Sequence, residues 1–482
     1  MKLFQGSLVG LLTLLFPLWS HGSTASQVQA RRLSDLNTEP LSSTPTAAAM
    51  VDGTLFFSSR SQRIVTWASG SGTSFEYLGP QLWKSDGTSP GTVLVQNQTE
   101  ASLMFGLNGR LYFYLHDLGW RVSGGFGSPG FIGPPGRMPA ESVAQRDVET
   151  MGGALYFPFT DGRTYPHRHL GAELYKIDTA ESRGYLVKDI LPGTGSSTPS
   201  GLETVGGTLF FAADDGDSAH GRELWKSDGT EAGTVLVKDI LPGGGGSAPS
   251  MMTRVGTTLF FLADDGIHGQ ELWKSDGTQE GTVLVKDFLP GRLGGSVKAM
   301  ASAGARLFLV RSADSGLELW TSDGTEDGTS LVKDFQPGAG ISNPTSLTEV
   351  GAALFFAADD GVHGPELWKS DGTREGTVLV KDLRPGPDGA GLRDLKNVGG
   401  RLFFVADDGV HGAEPWTSDG TEGGTFLVKD IHPGERASAP VSLVAAGGTL
   451  YFWADDGVHG AEPWKSDGTA AGTVLVRDVE VR

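Results

Sequence analysis

The chain has 482 residues, 38% of them hydrophobic, with 72 glycines, no cysteine and a formal charge of −19. Without cysteine there is no disulfide framework, thiol catalysis, cysteine-ligated zinc or lipid-modified amino-terminal cysteine, and the acidity argues against nucleic acid and anionic membrane surfaces as partners. Glycine at about twice its average usage, spaced regularly, points to many tight turns, because it enters the left-handed region without a Cβ clash.

Residues 1–30 read as an export signal. Lys2 supplies a positive start, residues 8–19 (LVGLLTLLFPLW) an apolar stretch, and residues 20–30 a small-residue segment in which Val28-Gln29-Ala30 or Ser23-Thr24-Ala25 suits a signal peptidase. Twelve residues containing Pro17 are too few to span hydrocarbon, which takes about 20, and no other segment approaches that length. Cleavage removes one lysine and no acid, giving a mature charge of −20. The expected destination is secreted, extracellular or periplasmic.

The rest of the chain repeats. ELWKSDGT occurs at 223–230, 271–278 and 366–373, with the variants QLWKSDGT at 81–88, ELWTSDGT at 318–325, EPWTSDGT at 414–421 and EPWKSDGT at 462–469. Trp225, Trp273, Trp320, Trp368, Trp416 and Trp464 lie 48, 47, 48, 48 and 48 residues apart. Tyr175 in AELYKIDT takes the aromatic position 50 residues before Trp225; Trp83 lies 92 residues earlier still, with Trp120 as the anchor of a degenerate unit between them. That makes nine units.

Each unit has one internal order. In the copy beginning at Ser346, SLTEV is a short alternating segment and GAALFFAADDG an apolar run ending in acids. ELWKSDGT follows, then REGTVLVKDL and a connector rich in proline and glycine. Residues 354–358 are apolar on both faces, as in a strand sandwiched between sheets, and Val378-Leu379-Val380 is β-branched and bounded by turn residues. Four such strands per unit predict an all-β protein, a β-propeller of eight to nine four-stranded blades over residues 31–482, expected to be a monomer. One nine-membered ring, an eight-bladed ring with a spare unit, and two smaller rings all fit. Residues 31–57 align without gaps to 235–261, which makes the mature terminus a candidate extra outer strand closing the ring.

The recurring residues have structural readings. In Ser227-Asp228-Gly229-Thr230 the aspartate can accept N–H bonds two or three residues on. The turn resembles the Asp-box of sialidase-type blades, although that box has a residue between serine and aspartate and ends in tryptophan; the resemblance bears on topology, not activity. One tryptophan per unit is expected to fill the wedge between blades, where truncation to alanine costs about 3–5 kcal/mol; the alternative is an exposed ring that stacks on sugars. Asp264-Asp265-Gly266-Ile267-His268-Gly269-x-Glu271 recurs at Asp359-Asp360, Asp407-Asp408 and Asp455-Asp456. These aspartates are weak candidates for Ca²⁺. The favoured reading is that Asp-Gly makes the turn while His and Glu bond neighbouring loops or blades, and no cofactor is expected.

The whole pattern resembles the bacterial ELWxxDGT repeat proteins, a family abundant in myxobacteria, through Glu271, Leu272, Trp273, Asp276, Gly277, Thr278 and their counterparts. The resemblance covers nearly all the mature chain, weakens in the second and third units, and implies export and a repeat fold. It implies no enzymatic activity.

Irregular units are the better place to look for a site. The first expands the loop between its second and third strands to about twenty residues, with Arg60, Arg63, Trp67, Phe75 and Tyr77. The second carries a Gly/Pro-rich stretch at 124–139, and the third clusters Arg163, His167, Arg168 and His169. Trp67, Tyr77 and this cluster are the candidate ligand-binding residues. No HExxH or Walker-type phosphate-binding loop is present, and the one GxSxG string, at 87–91, falls inside a copy of the repeated SDGT turn. The sequence therefore points to an exported binding or structural module for glycan or protein, with a polysaccharide hydrolase or lyase using the Arg163–His169 cluster as the competing class.

Overall fold

The computed structural model describes residues 44–66, 73–97, 101–115, 119–122, 130–131, 148–160, 171–178, 183–291, 294–313, 316–335 and 344–479. Their strands form nine four-stranded antiparallel sheets, each one contiguous stretch of chain paired in chain order: 44–97, 101–131, 149–188, 200–238, 250–286, 297–334, 345–381, 393–427 and 441–475. We number these blades 1 to 9.

Burial on both faces of the second strand explains why a single unit cannot stand alone. Thr208–Asp214 in blade 4 buries five consecutive residues. Phe211 packs with Trp225 and with Leu174 and Val187 of blade 3, whereas Phe210 packs with Leu259 and Phe261 of blade 5. Successive strand side chains point to opposite faces, so both can be buried only between two neighbouring sheets. Trp83, Trp225, Trp273, Trp368, Trp416 and Trp464 are 3–7% exposed. They are wedge residues, and the exposed-ring alternative does not hold for them. Trp320 is half-buried, with the Arg311 guanidinium over its ring.

Except between blades 2 and 3, first strands of successive blades lie side by side, and that of blade 1 also meets that of blade 9. Blades 2 and 3 are joined through Tyr112, which packs with Leu155 and Phe157, and through Asn108 Nδ2, which donates to Gly153 O at 3.3 Å. The nine blades therefore form one closed ring, which removes the eight-plus-one and two-ring alternatives. Blade 9 is completed by its own outer strand, Val474–Leu475. Closure among the described residues rests on side-chain contacts, with Phe57 edge-on to Trp453 at 5.1 Å, Val479 in the same cluster, and Arg477 bonded to the Thr92 carbonyl. Residues 31–43, the candidate extra strand, lie outside the described residues.

Basic side chains strap blade to blade. The lysine after the tryptophan reaches the next SDG turn, as Lys226 Nζ does to Gly277 O at 2.7 Å, and the fourth-strand lysine reaches the next blade's threonine carbonyl, as Lys238 Nζ does to Thr282 O at 2.7 Å. Blades 6 and 8 have Thr321 and Thr417 in place of the first lysine and open their second strand with arginine, Arg306 and Arg401, as blade 2 does with Arg110. Arg401 donates to Thr417 Oγ1 and Gly424 O.

Two irregular units depart from expectation. In blade 1 the strands Thr54–Thr66 and Thr73–Ser85 pair along their whole length, placing Gln62 opposite Tyr77 and Ile64 opposite Phe75. The segment read as a long loop is a hairpin extension, because its β-branched and aromatic residues continue the ladder. In blade 2, Trp120 stands opposite Tyr114, whereas Arg121 occupies the place opposite Phe113 that corresponds to tryptophan elsewhere.

Candidate binding face

Antiparallel order in every blade puts the second-to-third-strand loops and the blade-to-blade connectors on one face, and the SDGT turns on the other.

The SDGT turns are internally saturated. Asp228 Oδ1 accepts from Thr230 N at 2.9 Å and Thr230 Oγ1 at 2.7 Å, Thr230 Oγ1 accepts from Gly233 N at 2.9 Å, and Ser227 Oγ accepts from Gly229 N at 2.9 Å. Gly229 has φ +88°, and a Cβ at Gly233 would come within 2.0 Å of the Asp228 carboxylate. The same bonds recur in blades 1 and 5 to 9. The Thr230 hydroxyl holds Asp228 below the usual carboxylate range. This aspartate is scaffold.

The ELW glutamate is scaffold of a second kind. Glu223 is fully buried and its carboxylate accepts from the amides of Ile240, Leu241 and Ser247 and from the Ser247 hydroxyl, so it pins the connector to the next blade. Glu173 with Ser197 and Glu414 with Ser438 repeat the arrangement. In blades 5 and 7 the serine is replaced by Gly295 and Ala390. With connector amides alone against them, burial pushes Glu271 and Glu366 up to about 7.

On the loop face, Asp265 closes its own loop. Oδ1 accepts from the amides of Ile267 and His268, both at 2.9 Å, and Oδ2 lies 2.7 Å from His268 Nδ1. Asp264 Oδ1 accepts from Gly266 N at 2.7 Å. Asp360–His363, Asp408–His411 and Asp456–His459 are built alike, at 2.8–2.9 Å. Burial alone would raise Asp265, but the His268 amide and imidazole outweigh it and hold it low. The hydrogen bond that His268 donates to Asp265 raises His268, with Asp265, Asp287 and Glu271 adding their charge. Among the described residues no group of three or more His, Asp or Glu is arranged to hold a metal ion; the Ca²⁺ candidates Asp264, Asp265, Asp359, Asp360, Asp407, Asp408, Asp455 and Asp456 are engaged by their own loops.

The loop tips of this face are apolar. The loop tips Ile267, Val362, Val410 and Val458 are 60–73% exposed, more than any other large hydrophobic residue described; the next, Val95 at 45%, is on a rim strand. The sequence reading passed over them, although an Ile or Val between Gly and His in four copies was the available signal. Of the residues it did single out, Tyr77 is placed in the blade 1 hairpin, and Trp67, Arg163, His167, Arg168 and His169 lie outside the described residues. A separate open pocket of about 420 Å³ lies between the inner strands of blades 6 and 7, with Lys298, Met300 and Leu347 in its walls.

No family model and no curated protein matches this chain. Among solved structures it is similar to the β-propeller domain of the Trilobed protease from Pyrococcus furiosus, at 11% identity, covering 70% of this chain and 98% of that one, with a TM-score of 0.35. It is similar also to Porphyromonas gingivalis dipeptidyl peptidase 4, at 9% identity, 76% and 57% coverage and a TM-score of 0.48. A third is prolyl oligopeptidase B from Galerina marginata, at 11% identity, 68% and 50% coverage and a TM-score of 0.40. The chain spans 48–58% of the length of other peptidases it matches. At such distances nothing of their activity transfers to it.

Proposed function

We propose that this chain is an exported, monomeric propeller of the ELWxxDGT repeat type that acts as a binding module, taking a protein partner in preference to a glycan on its loop face. The observation that carries the reading is the state of the recurring side chains. The serine, aspartate, threonine and lysine groups of the motif are engaged within their own blade or by the next one, the regular tryptophans are buried, and the aliphatic tips are left over. Sugar recognition by stacking needs exposed aromatic faces; the one aromatic among the exposed large hydrophobic residues described, Phe426, is on an outer strand and not on the loop face. Exposed aliphatic groups set among polar ones are the kind of surface proteins use to meet proteins.

The test is a glycan array run beside binding to extracellular protein fractions, using the wild type and a variant with all four tips changed to serine. Protein binding lost in the variant, with an unchanged melting temperature, supports the reading. Glycan binding that survives the four substitutions overturns it.

A further inference from the structure

The tips are not needed to close their loops. Blade 4 carries Asp217-Ser218-Ala219 at the corresponding place, and its loop still closes with His220 Nδ1 3.1 Å from Asp215 Oδ2. Exposing a β-branched aliphatic side chain gains nothing for a turn whose bonds come from Asp265 and Gly266. Single exposed hydrophobics are ordinary on soluble surfaces, but the four most exposed ones at one repeat position, on one face, are not scattered.

The surroundings of these tips are mainly acidic. Each of the four loops contributes two aspartates and the connector after it a third: Asp287, Asp382, Asp430 and Asp478. Among the described residues of those loops and connectors the only arginines are Arg384, 3.4 Å from Asp407, and Arg436, next to Glu435 in the chain. Each imidazole is tied to an aspartate and offsets at most one charge per loop. Such a face repels an anionic lipid surface and a second copy of itself, and attracts cations.

Resting on the binding-module reading, we propose that the arc formed by blades 5, 7, 8 and 9 docks a basic polypeptide segment in which lysines or arginines alternate with apolar side chains. The apolar groups seat on Ile267, Val362, Val410 and Val458, and the cations lie between loops against the paired aspartates. Charge supplies encounter and orientation, while the tips supply the desolvated contact that holds the complex.

Three labelled synthetic peptides test this against the full-length protein by fluorescence anisotropy: one of alternating lysine and leucine, one with serine for every leucine, and one with glutamate for every lysine. The comparison protein carries Ile267→Ser, Val362→Ser, Val410→Ser and Val458→Ser, and its melting temperature establishes that it is folded. The lysine–leucine peptide is expected to bind the wild type, at least about tenfold more weakly to the variant, and more weakly still as salt is raised. Equal affinity of that peptide for wild type and variant reduces the interaction to general charge and overturns the proposal. Tip-dependent binding of the glutamate–leucine peptide keeps the docking face but overturns the basic partner. If no peptide binds in a tip-dependent way, this proposal falls, and the protein-binding reading is then judged by its own assay.

Discussion

The guanidinium of Arg477 donates to the main-chain carbonyl of Thr92, 385 residues earlier, and lies over the ring of Trp83 at 5.9 Å. It is the last of the fourth-strand cations, and it does across the seam what Lys188, Lys238, Lys381 and Lys429 do between consecutive blades. Among the described residues no strand is exchanged across the seam, and contacts of this kind hold that interface.

Arg477→Ala should therefore weaken the seam. Losing a charge-assisted hydrogen bond and a cation–π contact costs about 1–3 kcal/mol, read as a lower denaturation midpoint with a ring of unchanged radius. Arg477→Lys should restore most of it, since lysine makes the equivalent bond elsewhere. If alanine and lysine variants melt alike, the strap contributes nothing.

Adjacent glycines in one turn offer a sharper comparison. A Cβ at Gly424 would meet the Asp419 carboxylate at 2.0 Å, whereas one at Gly423 meets nothing within 4 Å. Gly424→Ala should destabilise by about 1–3 kcal/mol and Gly423→Ala by no more than about 0.5 kcal/mol. Equal effects would mean the turn is not held as described.

Glu366 gives a pH dependence with a defined sign. Burial pushes it from 4.5 to about 7, so the folded protein binds this proton more tightly than the unfolded chain. Stability tied to the group is full below pH 4.5 and falls as pH rises through 7. Ala390→Ser places a hydroxyl where Ser247 serves Glu223, and should stabilise by about 1–2 kcal/mol at pH 8 and by less at pH 5. Thermal melts at the two pH values check this; an equal gain at both would show that the serine does not bond the carboxylate.

The wedge tryptophans predict a contrast between inside and rim. Trp273→Ala should cost about 3–5 kcal/mol, while Val283→Ala, at 36% exposure on an outer strand, should stay within about 0.5 kcal/mol. Chemical denaturation measures both, and comparable losses would contradict the burial pattern.

Much of this was legible from residues close together in the chain. The four strands, the SDGT turn and the His–Asp loop rest on hydrogen bonds spanning two to seven positions, or on alternation within a strand. Those depend on local spacing, so the repeated segments alone specify them. The glutamate's partner was not legible in that way: Ser247 lies 24 residues from Glu223 and meets it only because the connector folds back over the third strand.

That the nine units share one closed ring, that the blade 1 hairpin is extended and that the loop tips are exposed were settled by tertiary structure alone. A tryptophan and a valine are both apolar in a sequence, and nothing local says which will be covered. Here the neighbouring blade covers Trp273 and nothing covers Ile267, because burial is a property of the pair of sheets and not of either unit.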